Sequence, residues 1–240
     1  MLSIVIPAYN ESQRLPATLA RIYDYFAAHP SPHEILVVDD GSSDQTAAVA
    51  GRMPGPIEVI RLQPNRGKGY AVRRGMLAAK GRRVLFTDSD LSTPIEELEK
   101  LQAAMDAGAD VALGSRAVNR NLTKLRQPWH REKMGNVFNM CVQAIAVKGI
   151  KDTQCGFKLF TRQAAQDVFS RCQMDRFVFD VEAVALAKLL GYRVAEVPVL
   201  WYDSPDSRVN VLRDPLAMFF DLWTIRANMK KLARSLGRKW

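Results

Sequence analysis

"VLFTDSDLSTP", residues 84–94, sets an apolar run against two carboxylates separated by one residue. Val84-Leu85-Phe86-Thr87 is short, apolar and β-branched at both ends, which predicts a buried strand. If strand alternation continues past it, Asp88 and Asp90 share one face and Ser89 turns aside. Two carboxylates held that close repel each other unless a cation lies between them. A hard divalent ion of the Mg²⁺ or Mn²⁺ kind takes oxygen ligands of this sort, usually shared with substrate phosphates. The same residues admit a plainer reading as a polar turn leading into a helix. Ser92-Thr93-Pro94 with Glu96 and Glu97 is a good helix start.

Outward from that run, apolar segments alternate with helical ones. Strands are expected at Ser3–Ile6, Glu34–Val38, Ile57–Leu62, Val84–Thr87 and Asp110–Leu113. Helices are expected from about Arg14 to Ala28, from near Ser43, and near residues 68–80 and 95–107. This alternation predicts an α/β fold, a mostly parallel sheet flanked by helices. No repeat, low-complexity tract or linker divides the chain.

Each of the first four strands is followed by a polar signature: "PAYNE" (7–11), "DDGSSD" (39–44), "NRGKG" (65–69) and "DSD" (88–90). In open α/β sheets ligands bind outside the carboxyl ends of the strands, so all four converge on one edge. Asp39 and Asp40 can accept hydrogen bonds from a base edge or a ribose. Arg66 and Lys68, flanked by glycines, can bring cation and backbone close to a phosphate, although either is also an ordinary basic turn. No Gly-x-x-x-x-Gly-Lys-Ser/Thr is present and no Gly-x-Gly-x-x-Gly follows a strand, which excludes a P-loop and disfavours a dinucleotide cofactor.

Composition fits a nucleotide or membrane partner. The 240 residues carry a net charge of +9, which attracts acidic partners. No helix-turn-helix, zinc or aromatic-platform signature accompanies that charge, so nucleic acid is not the expected partner. Three scattered cysteines and a first segment, "MLSIVIPAYNE", that reads as a strand fit a reduced, cytoplasmic setting. No apolar stretch is long enough to span a bilayer.

The motifs "VIPAYNE", "VVDDGSSDQT", "NRGKGYAVRRGM", "DSDLSTP", "GSR" and "DTQCGFKLF" resemble, in order, the inverting GT-A glycosyltransferases of family 2. The resemblance covers about residues 3–202. It is strongest to the dolichyl-phosphate glucosyltransferase and mannosyltransferase branch, and "GIKDTQCGFKLFT" (149–161) is closer to the glucosyl side. It implies transfer of a hexose from UDP-glucose, with GDP-mannose the alternative, onto a polyprenyl or dolichyl phosphate. By position it assigns Pro7, Ala8, Tyr9, Glu11, Asp39, Asp40, Arg66, Lys68, Asp88 and Ser89 to the nucleotide sugar. Asp88 and Asp90 become the Mg²⁺ or Mn²⁺ ligands. Arg116, Arg126, Arg131 and Arg208 go to the acceptor phosphate, and Arg116 and Arg131 join the two aspartates as catalytic. Ser92 stands where the mannosyl enzymes carry a Gln ligand, so water completes the metal shell.

Rival readings differ in their signatures. A nucleotidyltransferase needs a glycine-rich basic loop after the first strand, and "PAYNESQRLP" has no glycine. A family 2 enzyme acting on a saccharide hydroxyl needs a catalytic base, and none is assigned.

The second half suits a lipid acceptor. An apolar helix is expected from Trp129 to Ile150, too short to cross a bilayer but able to lie in its interface, or else to face the core. Asp180, in "FVFDVE", is a candidate for orienting sugar hydroxyls. The catalytic domain is expected over residues 1–212 and an amphipathic, membrane-associating helix over 213–240. There Leu222, Ile225, Met229, Leu232, Leu236 and Trp240 form one apolar stripe, and Arg226, Lys230, Lys231, Arg234, Arg238 and Lys239 supply the charge for a peripheral membrane contact. Packing against the core or a twin helix explains the stripe equally well.

Overall fold

The computed structural model describes residues 1–119, 122–125, 129–202 and 214–240. The elements run β1 (Leu2–Ala8), α1 (Leu15–Ala28), β2 (His33–Asp39), α2 (Thr46–Arg52), β3 (Ile57–Arg61), α3 (Lys68–Ala78) and β4 (Arg83–Thr87). After a 3₁₀ turn at Ile95–Glu97 come α4 (Leu98–Asp106), β5 (Val111–Ser115), β6 (Thr123–Leu125) and α5 (Trp129–Ile145). The chain continues with β7 (Phe157–Thr161), α6 (Arg162–Phe169), α7 (Phe179–Leu190), β8 (Val194–Pro198), β9 (Trp201–Tyr202) and α8 (Asp214–Ser235).

Seven strands form one sheet in the order β3-β2-β1-β4-β7-β5-β8, and β6 pairs with β9 in a small second sheet. All neighbours in the large sheet are parallel except β7, which runs antiparallel between β4 and β5. The expected strands are therefore all present, and the sheet is mixed. β1 and β4 are adjacent although β2 and β3 intervene in sequence, so the strand order reverses between them. Such a switch point opens a crevice at the carboxyl edge.

The strands are apolar on both faces, as a sheet buried on both sides requires. Val5, Val84 and Phe86 pack toward α3, α6 and α7, and Ile4, Ile6 and Leu85 pack toward α1 and α4. In α7 every residue except Lys188 and Leu190 is buried. A helix apolar all round needs cover on its outer side, and α8 supplies it with buried Leu222, Ile225, Met229 and Ala233. Most of the C-terminal stripe is thus spent on the core, and its last members, Leu236 and Trp240, stay on the surface. The helix expected to reach Ile150 ends at Ile145.

Candidate active site

The strand β4 ends at Thr87 and residues 88–91 form a turn, with Leu91 in the left-handed region at φ 45°. Strand alternation therefore does not orient the two aspartates, contrary to expectation. The turn itself does: Ser92 N–H donates to Asp90 Oδ1 at 3.0 Å, and Thr18 on α1 holds the Ser89 carbonyl. Asp88 is fixed from behind, its N–H donating to the Gly156 carbonyl at 3.1 Å. Asp88 Oδ1 takes no hydrogen bond of good geometry, but the Lys68 ammonium lies 2.7 Å away as an ion pair.

Lys68 reaches Asp88 from the first residue of α3. Gly67 adopts φ 105°, and a Cβ on Gly69 would stand 2.4 Å from the Met174 carbonyl, so both positions need glycine for α3 to dock on residues 174–176. Burial opposes the Lys68 charge, but Asp88, Asp180 and Asp90 outweigh it and raise its pKa above the ordinary lysine value. Beneath lies a second pair that the sequence did not announce. Lys158 on β7 is buried and donates to the Cys155 carbonyl and to Asp180 in the first turn of α7. The Phe86 ring is within reach of both ammonium groups, its centroid 5.7 Å from Lys68 Nζ and 5.5 Å from Lys158 Nζ. A lone lysine in the apolar run "GFKLF" was the available signal. Burial pushes the Cys155 thiol up to about 11, so it is no nucleophile.

The first three strand ends build the other wall. Ala8 ends β1, and its carbonyl accepts the Asp40 N–H. Asn10, left-handed at φ 53°, and Glu11 tie this loop to the second one: Asn10 N–H donates to Ser42 and Glu11 N–H to Thr46. Both Glu11 oxygens accept from Arg14 at 2.8 Å. Asp39 is buried and accepts from Ser42 N–H at 3.0 Å. Asp40 is buried too, its oxygens accepting the N–H groups of Arg66 and Gly67, so it shapes the third loop. Arg66 stacks 3.8 Å above Tyr70 and pairs with Asp175. Pro7 lies in β1 opposite Val38, and Tyr9 beyond it is exposed.

At the end of β5, Arg116 is clasped by Asp152 through Nε at 2.7 Å, Nη2 at 2.8 Å and its own N–H at 3.0 Å. Asp88 lies within electrostatic range of its charge. Arg131 lies on α5; its side chain, and all of Arg126 and Arg208, fall outside the described residues. The expected groups that come together are therefore Asp88, Asp90, Lys68 and Arg116, joined by Asp180.

Among the described residues no three His, Cys, Asp or Glu side chains gather as a metal cage. The hard carboxylate donors Asp88 and Asp90 still fit a Mg²⁺ or Mn²⁺ ion that takes its other ligands from phosphate and water, once Lys68 gives up its pair with Asp88 Oδ1.

Residues 3–169 match the family described as Glycosyl transferase family 2. The chain belongs to that family. This family 2 glycosyltransferase is similar over most of its length to dolichyl-phosphate β-glucosyltransferases. The Drosophila melanogaster protein is 39% identical, covering 93% of this chain and 74% of the relative, and the human one 36%, covering 94% and 74%. The Saccharomyces cerevisiae protein is 33% identical over the same shares. Among solved structures, glucosyl-3-phosphoglycerate synthase from Mycobacterium tuberculosis in complex with Mn²⁺, UDP and phosphoglyceric acid superposes with a TM-score of 0.72 at 18% identity. That match covers 95% of this chain and 78% of the synthase. Mannosyl-3-phosphoglycerate synthase from Rubrobacter xylanophilus gives 0.66 at 21%, covering 100% and 75%. These neighbours establish the GT-A-like fold. The enzyme is a glycosyltransferase of the dolichyl-phosphate β-glucosyltransferase kind.

Proposed function

We propose that this enzyme transfers glucose from UDP-glucose to a polyprenyl phosphate with inversion, giving a β-linked lipid phosphate sugar. The observation that carries the reading is that two cations stand at the carboxyl edge on separate elements, Lys68 paired with Asp88 at 2.7 Å and Arg116 held by Asp152 at the end of β5. Two cations on separate elements suit two anions, the diphosphate of the donor and the monophosphate of the acceptor. The relatives' names supply the sugar, the β-linkage and the lipid class.

In this reading the β1, β2 and β3 loops hold the nucleoside, with Asp39 toward the base, and Lys68 leaves Asp88 to meet the diphosphate. Asp88 and Asp90 would hold a Mg²⁺ or Mn²⁺ ion. When bound, such an ion neutralises the charge that develops on the leaving diphosphate. Arg116, with Arg126, Arg131 and Arg208 as further candidates, receives the acceptor phosphate. That phosphate is ionised at neutral pH, so it needs positioning rather than deprotonation. Asp180 belongs to the floor near the sugar.

A lipid acceptor requires access to a membrane. No described helix is long and apolar enough to cross one. Met134, Val137 and Met140 on α5 and Phe219, Phe220 and Trp223 on α8 expose apolar side chains suited to a peripheral contact.

The test is incubation of purified enzyme with radiolabelled UDP-glucose or GDP-mannose and undecaprenyl phosphate in micelles, with and without EDTA. Metal-dependent formation of a glucosyl lipid is expected, and Asp90→Asn should lower the rate at least ~100-fold. Transfer only to saccharide acceptors, or indifference to EDTA, overturns the reading.

A further inference from the structure

The clasp on Arg116 is itself held by a third acid. Asp152 N–H donates to Glu196 Oε1 at 2.7 Å and Lys151 N–H to Glu196 Oε2 at 3.0 Å. Ser115, the residue before Arg116, donates its hydroxyl to the same Glu196 Oε1 at 2.7 Å. Glu196 lies on β8 opposite Leu113 of β5. One carboxylate on a neighbouring strand therefore fixes both ends of the clasp, the strand that carries Arg116 and the loop that carries Asp152. From above, the Trp201 ring faces the guanidinium, its centroid 5.3 Å from Cζ. Trp201 is placed in turn by the 92–97 segment: Tyr202 N–H donates to the Ser92 carbonyl and Leu200 N–H to Glu97.

A purely structural clasp would bury the guanidinium and use up its donors. Here Asp152 is buried, whereas the Arg116 side chain keeps 31% of its surface exposed. Asp152 engages the Nε–Nη2 edge. Guanidinium has five N–H donors in a rigid fork, so the Nη1 edge remains able to meet a second anion. An arginine held by one acid along one edge has its other edge aimed, with little rotamer entropy left to lose on binding.

We propose that Asp152 is a positioning residue, braced by Glu196, that aims the free edge of Arg116 at the acceptor anion. This rests on the reading of the acceptor as a phosphate. Asp152→Asn keeps the shape and gives up the charged fork. It is expected to raise the acceptor KM about 10- to 100-fold, the scale on which a small misplacement acts, with UDP affinity by calorimetry changed less than about twofold. Because Asp152 acts through Arg116, the Arg116→Ala/Asp152→Asn double variant should be no worse than Arg116→Ala alone. Independent, multiplying losses, or an unchanged acceptor KM, would overturn the proposal.

A readout that needs no acceptor separates this from the fate of the functional reading. In ¹⁵N NMR the Nε–H of Arg116, identified by its absence in Arg116→Lys, should be slow to exchange in wild type and lost or fast-exchanging in Asp152→Asn. If wild type makes no glucosyl lipid while this signal behaves as stated, the acceptor assignment fails and the positioning role stands. If the signal is the same in both proteins, the positioning role fails. Should Asp152→Asn not fold, Glu196→Gln, at a half-buried site, is read by the same two measurements and should shift both in the same direction.

Discussion

Gly156 lies so close to Asp88 that a Cβ at position 156 would stand 2.0 Å from Asp88 Oδ2. The clash is with the end of a side chain, so the backbone can keep its course while the carboxylate turns away. Gly156→Ala should therefore fold with a melting temperature near wild type and lose about 100-fold in kcat/KM, the scale of a 1 Å misplacement. Gly69→Ala meets the Met174 and Arg176 carbonyls and should instead destabilise the fold by about 1–3 kcal/mol. Thermal unfolding and steady-state kinetics on the pair separate the two effects, and a stable, active Gly156→Ala enzyme would remove Asp88 from the chemistry.

The Lys158–Asp180 pair is buried on both sides. Removing one partner leaves an uncompensated charge, so Lys158→Met should cost about 3–5 kcal/mol in urea unfolding. Removing both charges relieves that penalty. The Lys158→Met/Asp180→Leu protein should be more stable than Lys158→Met, because a buried ion pair often contributes no more than a packed apolar one. Additive losses would mean that Asp180 is held by Lys68 and the backbone alone.

Asp44 stitches the first two loops together, accepting from the N–H groups of Ser12 and Thr46 and from the Thr46 hydroxyl. Burial pushes its pKa up, but these hydrogen bonds prevail and bring it from 3.8 down to about 2. A depressed carboxyl stabilises the fold above its unfolded pKa and loses that contribution as pH falls through the folded value. The urea midpoint of wild type should therefore drop between about pH 4 and pH 2. Asp44→Asn should show a shallower drop over that window and a lower midpoint at pH 7. Parallel curves would show that Asp44 contributes no pH-dependent stability.

Five of the seven strands, β1 to β5, were legible because each is a short apolar run bounded by polar turns, and the edge was legible because four of those turns carry chemistry; β7 and β8 were not expected. The antiparallel β7 was harder. In "GFKLF" a lysine interrupts the apolar run, and the strand's pairing between β4 and β5 depends on contacts distant in sequence. The Asp88–Lys68 pair was half legible: each residue was identified from its motif, but not their approach to 2.7 Å, which the glycines at 67 and 69 permit. Asp152, Lys158 and Glu196 were missed as partners, since a single acid or lysine in a strand shows nothing of what it meets. The C-terminal stripe from Leu222 to Leu232 lies on a helix, whereas Leu236 and Trp240 fall beyond its end at Ser235. Periodicity says that a face is covered and not by what, and here α7 covers it.

On the proposed lipid-acceptor reading, that packing moves the expected membrane contact to the start of α8. Asp221 lies within electrostatic range of Arg176, which packs against Gly67 at the catalytic edge, whereas Arg238 donates to the Leu189 carbonyl at the far end of α7. Helix α8 thus starts near the catalytic edge and carries its C-terminal cations away from it. From 221 to the helix end at Ser235 the rise is roughly 21 Å, against a Debye length of about 10 Å at 0.1 M salt. The exposed aromatics are at the near end: Phe220 is 68% and Trp223 53% exposed, while Ile225 is fully buried. Withdrawing an aromatic ring from water contributes about 1.5–3 kcal/mol. Phe220→Ala/Trp223→Ala should therefore lower co-sedimentation with phosphatidylglycerol vesicles at least ~10-fold at 0.1 M salt, with stability within about 0.5 kcal/mol of wild type. Lys230→Gln/Arg234→Gln should bind nearly as well as the parent. Ile225→Ala should lose about 2–5 kcal/mol of stability, because it opens a cavity against the core. If the charge variant releases the protein and the aromatic variant does not, α8 lies flat on the lipid along its length and the cations at its C-terminal end are the anchor.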